Sequence, residues 1–449
     1  MTDRYIMITN DKEASVLLRL AAPMMFGILG MSIFNLMDTL FVGRLGTVEL
    51  AALSFTFPVI LVVSSVSHGL GVGMTAAVSK AAGGNDRTKL KNIISWGLGL
   101  SVLIVILVVL LGQLTIEPLF RALGADKQTL PVIKEYMRIW YFGAVFVVIP
   151  MVGNAAIRGL GDTKIPSMVM LIAAIVNTIL DPLLIFGIGP FPELGVRGAA
   201  IATVAARGIT FTVALWVLIK REKIISFANP SKIVEVWKEL LFVAIPNALS
   251  KMIIPLGAAI IIRLIASYGR ESVAGFGVAG KLEMFALLPV MALSSVIPVF
   301  IGQNLGAGNK NRVLKGLKLS GLFSLFYGII IYIILLLNGG FLGGLFNKNE
   351  KVIEVIIIYL SIVPIAYFFR SIMDLSITSL SVTGKPIQAA LISLIQMFLL
   401  YIPMAYVGSK LFGIQGIFGA LSISLLLIGP VSYYIARRYI IKLPVIHPT

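Results

Sequence analysis

Four carboxylates stand where water would not reach them. Asp38, Asp181, Glu283 and Asp374 each lie well inside a long apolar run. A charge in such a place costs about 2.5–3.5 kcal/mol on insertion scales, so each needs a task or a partner. Asp38 sits in Asn35-Leu36-Met37-Asp38-Thr39, between the apolar stretches Leu18 to Phe34 and Leu40 to Val42. Asp181 precedes Pro182 and follows Asn177 by one helical turn. Asn35 is i−3 from Asp38 and Asn177 is i−4 from Asp181, so on helices each amide shares the face of its carboxylate. Two neighbouring carboxylates in a poorly solvated cavity repel, and a proton or an oxygen-ligated cation such as Na⁺ relieves that repulsion. The chemistry implied is ion binding rather than bond making.

Other chemistries are excluded by composition. There is no cysteine, which removes disulfides, thiol catalysis and thiolate metal sites. His68 and His447 lie too far apart for a metal-ligand pattern, and no Gly-Lys-Ser/Thr phosphate loop is present. Beyond a coupling ion no cofactor is implied, and no metal beyond Na⁺ at Asp38/Asp181. The glycines of Gly69-Leu70-Gly71-Val72-Gly73 serve close helix approach. The net charge of +17 is spread in short clusters between apolar runs, as topology signals are, so nucleic acid is not a partner.

The chain that positions these groups is an integral membrane protein. Of its 449 residues 58% are hydrophobic and only 13% charged, against about 25% charged in a soluble domain. The fold class predicted is all-α and polytopic, with twelve transmembrane helices. They span approximately 15–44, 51–80, 92–115, 131–158, 165–188, 196–219, 239–268, 272–304, 314–338, 352–382, 387–408 and 413–437. Runs of this length are helices, because barrel strands are about ten alternating residues. The polar N-terminus carries no cleavable signal pattern. The two termini and the even-numbered connections, with their flanks, hold 22 of the 37 Lys and Arg residues, and the odd-numbered connections hold nine. Both termini are therefore expected in the cytoplasm.

The halves repeat. Leu18-Arg19-Leu20-Ala21-Ala22-Pro23 echoes Leu241-Phe242-Val243-Ala244-Ile245-Pro246, and Gly46 and Ala51 fall on Gly269 and Ala274 at an offset of 223. Ala82-Gly83-Gly84-Asn85 corresponds to Leu305-Gly306-Ala307-Gly308-Asn309, and Gly195-Val196-Arg197-Gly198 to Gly413-Ile414-Gln415-Gly416. Two lobes follow, residues 1–219 and 239–449, joined by a cytoplasmic linker at 220–238. Six spans per lobe make the repeats parallel, a transporter signature. Within the first lobe Asp38 and Asp181 come out about 9 and 12 Å below the outer surface at 1.5 Å per residue. Thr203 falls in the same layer. At the repeat positions Asp38 becomes Ile261 and Asp181 becomes Leu400, so the acids belong to one lobe only. Arg370 is i−4 from Asp374, and a neutralising pair within one helix explains both about as well as a functional role does. Tyr136 lies near the outer end of span 4, where interfacial tyrosines are common.

With Pro23, Asp38, Gly43-x-x-Gly46, Asn177, Asp181-Pro182 and Ala279-Gly280-Lys281-Leu282-Glu283 in place, the chain resembles the multidrug and toxic compound extrusion (MATE) family over essentially its whole length. Its aspartates on spans 1 and 5 are similar to those of the DinF-like branch. The resemblance implies a secondary antiporter, not an enzyme, in the plasma (inner) membrane. It would export amphipathic or cationic compounds against H⁺ or Na⁺ by rocking alternating access, and act as a monomer among membrane lipids. It implies coupling at Asp38 and Asp181 with Asn154, Asn177 and Tyr136 nearby, and bending of the first helix at Pro23. Helix face and depth add Asn35 and Thr203 to the coupling site, and Pro182 is a second bending point. Tyr136, Asn154, Glu283 and Asp374 are then cavity candidates. A lipid-linked saccharide flippase is the alternative, kept open by Lys251, Arg263 and Lys281.

Overall fold

A computed structural model describes residues 7–227 and 229–443. Among these no strand occurs. Helix α1 spans Glu13–Gly43, α2 Thr47–Gly83 and α3 Arg87–Ala122; α4 (Thr129–Gly143) and α5 (Val145–Gly159) together form the fourth span. Helix α6 is Lys164–Phe186, α7 Val196–Trp216 and α8 Ile233–Ala266. The rest are α9 (Arg270–Ala286), α10 (Leu288–Gly306), α11 (Lys310–Phe346), α12 (Glu350–Ile362), α13 (Tyr367–Val382), α14 (Pro386–Leu394) and α15 (Ile402–Lys442).

Eleven continuous segments of the described residues are long and apolar enough to cross a membrane, the last running over Pro386–Lys442. That last segment is two crossings, because Gly413 interrupts α15 with φ 61° and ψ −143°. The twelve predicted spans are thus present, with breaks that periodicity did not reveal. The fourth pauses at Ala144, the eighth at Leu287, and the tenth over a 3₁₀ turn, Val363–Ala366, that contains Pro364. Leu110, Leu111 and Leu114 of α3, and Phe326, Ile330 and Leu337 of α11, lie exposed. Apolar faces of that extent suit an apolar solvent.

The duplication is written in the backbone. Asn85 and Gly308 both have positive φ, 54° and 75°, at the offset of 223. So do Gly46 and Gly269 (155° and 103°) and Gly161 and Gly384 (90° and 80°). Gly195 at 53° matches Gly413 at 61° after a five-residue shortening. Left-handed backbone is costly for any residue with a Cβ, which is why glycine holds all of these turns but one.

The described chain forms two compact units, residues 22–248 and residues 7–21 with 249–443. The boundaries fall inside α1 and α8, next to the repeat-paired Pro23 and Pro246. In the first unit α2 and α8 approach closely: a Cβ on Gly73 would sit 2.8 Å from the Leu240 carbonyl oxygen. Met74, Val78, Ile93, Ile94 and Met137 fill the core around them. In the second unit Ile261, Ile356, Tyr359, Tyr367 and Phe418 share one core. Here Glu13 at the start of α1 pairs with Lys315 of α11 at 3.1 Å.

Candidate functional site

Small residues bring the two first-lobe carboxylates together. A Cβ on Gly27 of α1 would lie 2.9 Å from Ser167 Cα of α6, and one on Gly30 3.0 Å from the Leu171 side chain. Only glycines allow that approach, and the Ser167 hydroxyl adds a bond to the Pro23 carbonyl. Asp38 stands eleven residues beyond Gly27, and Asp181 fourteen beyond Ser167. The difference in rise is about one helical turn. The close approach of α1 and α6 thus carries Asp38 and Asp181 on neighbouring helices at similar heights.

Asp181 and Asn177 are fully buried, and Asn177 Nδ2 donates to Asp181 Oδ1 at 3.1 Å. Asp181 Oδ2, Asn177 Oδ1 and Asn154 Oδ1 are buried oxygens that no donor of a described residue reaches. Buried acceptors are normally paired, so this lobe holds acceptor capacity suited to a proton or a hard cation. Asp38 and Thr203 are half-buried, while Asn35 is exposed rather than in the buried layer. Tyr136, which its place in the span put at the interface and the resemblance put near the acids, is buried. Helices α1 and α6 are continuous through Pro23 and Pro182.

A cation of this lobe escaped the sequence reading. Arg207 of α7 lies over the Phe34 ring, 5.3 Å from its centroid, with Nη1 3.9 Å from Met31 Sδ. Among the six Lys and Arg residues within spans nothing in the sequence singled it out.

The second unit decides one pairing. An intrahelical pair of Arg370 with Asp374 was one of two open readings; Arg370 bonds instead to Glu283 Oε1 of α9. The hydroxyls of Tyr359 and Tyr367 donate to Glu283 Oε2, the latter at 3.4 Å. A planar guanidinium and two phenols satisfy that carboxylate far better than any residue on its own helix. Asp374 is half-buried, within electrostatic reach of Arg370, Lys251 and Glu283. Tyr359 stands 223 residues after Tyr136. Each unit thus buries a tyrosine at the same repeat position.

Comparison with known proteins places these features in context. The MatE family model matches residues 23–183 and 246–407, once in each half. A relative from Shewanella oneidensis, described as an FAD transporter, is 39% identical over 98% of this chain and 97% of its own. The probable multidrug resistance protein NorM of Thermotoga maritima is 27% identical over 90% of this chain and 87% of its own. Multidrug export protein MepA of Staphylococcus aureus is 26% identical over 91% and 90%. Among solved structures, the Vibrio cholerae MATE transporter VcmN in the bent form superposes with a TM-score of 0.91 at 27% identity. It covers 96% of this chain and 97% of that one.

Proposed function

Since the chain belongs to the MATE family of multi-pass membrane transporters, which are not enzymes, we propose that it is an exporter driven by H⁺ or Na⁺ bound at Asp38 and Asp181. We infer further that its cargo is FAD or a like anionic aromatic compound. The observation that carries the coupling is the buried Asp181–Asn177 pair with its unpaired oxygens beside Asp38. A carboxylate there is costly when charged and cheap when a proton or cation accompanies it. Ion occupancy therefore changes the stability of whichever conformation buries the pair, and Pro23 and Pro182 offer bending points on the same two helices. Export follows if ion entry from outside favours the state that releases cargo outside. In this reading both termini face the cytoplasm and a single chain suffices.

The cargo inference rests on the Shewanella relative, whose identity over nearly the whole chain exceeds that of the multidrug relatives quoted. Organic cations are the second reading, favoured by the acidic side chains of both units. The flippase reading draws no support from these relatives. Efflux from proteoliposomes with separately imposed pH and Na⁺ gradients tests the proposal, with FAD in one series and ethidium in another. Asp38→Asn should fold and bind cargo yet lose gradient-driven efflux; full activity in that variant would sink the coupling mechanism.

A further inference from the structure

Arg207 lies eleven residues into α7, near the middle of a crossing that runs Val196–Arg221. The Phe34 ring beneath it is 6% exposed, so the guanidinium reaches inward over α1 rather than out toward lipid. A guanidinium has five N–H donors and stays charged. Among the described residues its only partners are that ring and the Met31 sulfur; no carboxylate lies within ion-pair distance. Phe34 is i−4 from Asp38, so the cation sits about one turn inward of the acid, along the same face of α1. Arg207 is half-buried; a cation inside a crossing with no counter-charge is costly, and structural arginines in membranes are paired.

Neighbours on α7 make this a face rather than a point. Thr203 is i−4 and Thr210 i+3 from Arg207, so the three share one side of the helix. The Thr210 hydroxyl is buried with no partner among the described residues. By the register that sets Gly195 on Gly413 and Gly198 on Gly416, these positions fall on Leu421, Leu425 and Ile428. Leu425 is 2% exposed and Ile428 6%. The fold fills this stripe with leucine and isoleucine in one half, so packing does not require threonine and arginine in the other.

We propose that Arg207, held in place on Phe34 and flanked by Thr203 and Thr210, is the residue that selects anionic cargo by binding its phosphate groups. This rests on the reading that the cargo is an anionic nucleotide such as FAD. Oxygen anions match the guanidinium fork, and hydroxyls at i−4 and i+3 can donate to the same anion. Asp38, one turn outward, then repels the same anion when charged and ceases to when an ion neutralises it.

Binding to the purified full-length protein tests this, with FAD, ATP, phosphate-free riboflavin and the cation ethidium as probes. Arg207→Gln should weaken FAD by about ten- to a hundredfold, the loss of a charge-assisted contact. Riboflavin should bind as before and ethidium no more weakly. Arg207→Lys keeps the charge without the fork and should retain part of the FAD affinity, which guards against a misfolded glutamine variant. Equal FAD affinity in wild type and Arg207→Gln overturns the inference while leaving the cargo reading intact. Equal losses for FAD and riboflavin overturn it too, because packing alone would then explain Arg207. Arg207-dependent binding of ATP without FAD binding sinks the FAD reading and keeps the inference. If neither nucleotide binds the wild type, the inference falls.

Discussion

Asp181→Asn separates an ion site from a structural acceptor by stability as well as transport. In the native chain Asp181 Oδ1 takes the Asn177 amide at 3.1 Å, while Asp181 Oδ2 and Asn177 Oδ1 lie buried without donors. Asparagine keeps the acceptor and adds an amide donor among unpaired acceptors. Removing an uncompensated buried polar group returns about 1–3 kcal/mol, and one new hydrogen bond adds about 1 kcal/mol. A net stabilisation of about 3 kcal/mol follows for a native carboxylate that carries charge. For a unit of some 200 residues each kcal/mol moves the melting point by about 2–4 °C, so Tm should rise by about 6–12 °C. All four tryptophans, Trp96, Trp140, Trp216 and Trp237, belong to residues 22–248. Tryptophan fluorescence of the detergent-solubilised protein therefore reports this unit alone. The same variant should lose gradient-driven efflux. A fall in Tm of similar size would refute the reasoning, because the carboxylate would then be an acceptor that the fold depends on.

Two further outcomes test the surroundings. Glu283→Leu strands Arg370 and should cost about 3 kcal/mol, whereas adding Arg370→Met should recover most of it; chemical denaturation of both variants reads this, and an unrecovered double variant would show that packing, not charge, is at stake. Asp126, in the connection between α3 and α4, accepts from the backbone of Thr129 at 2.7 Å, from that of Gln128 at 3.0 Å and from the Thr129 hydroxyl at 2.8 Å. Bonding from Thr129 first, then Gln128, holds its carboxyl below the usual range. A lowered folded value means stability that is present above the ordinary carboxylate range, about 3.9, and lost as pH falls through the folded value. Asp126→Ala should therefore melt lower than wild type at pH 7, with a gap that closes in acid; a gap unchanged across that range would contradict the bonding.

What the sequence made legible was what obeys short-range rules. Apolar run length yielded the crossings, and an offset of 223 yielded turns whose φ values agree pair by pair, as Asn85 and Gly308 do. The acids stood out because charge in an apolar run is conspicuous wherever it occurs. Partners were another matter. Arg370 has Asp374 one turn away and Glu283 87 residues away, and local spacing favours the near one. The distant acid wins because two phenols help to satisfy it, which no helical periodicity encodes. Tyr136 read as interfacial from its place in the span, yet the break at Ala144 lies between it and the inner half of the same span. Arg207 was invisible for a simpler reason: its counterpart is a ring, and cation–π pairs leave no signature in spacing.

The two halves share a backbone and divide the chemistry. Where the first has Asp38, Asp181 and Arg207, the second has Ile261, Leu400 and Leu425; where the second has Glu283, Arg370 and Asp374, the first has Ile60, Val147 and Met151. Only the tyrosine, 136 in one and 359 in the other, is common to both. The two arrangements differ in what an arriving ion can do. Glu283 already has a guanidinium and two hydroxyls, so a proton or Na⁺ would have to displace the partners that stabilise it. Asp181 has one amide and an unpaired oxygen, so an ion gains contacts there and breaks none. Differential affinity between states is what drives a conformational equilibrium, and a site that gains contacts without losing any offers more of it. Under the proposed function, the first unit is therefore the one expected to bind the coupling ion, with Glu283 held as a fixed, neutralised group in the second. A Glu283→Gln variant that abolished gradient-driven efflux while Asp38→Asn and Asp181→Asn kept it would reverse the assignment.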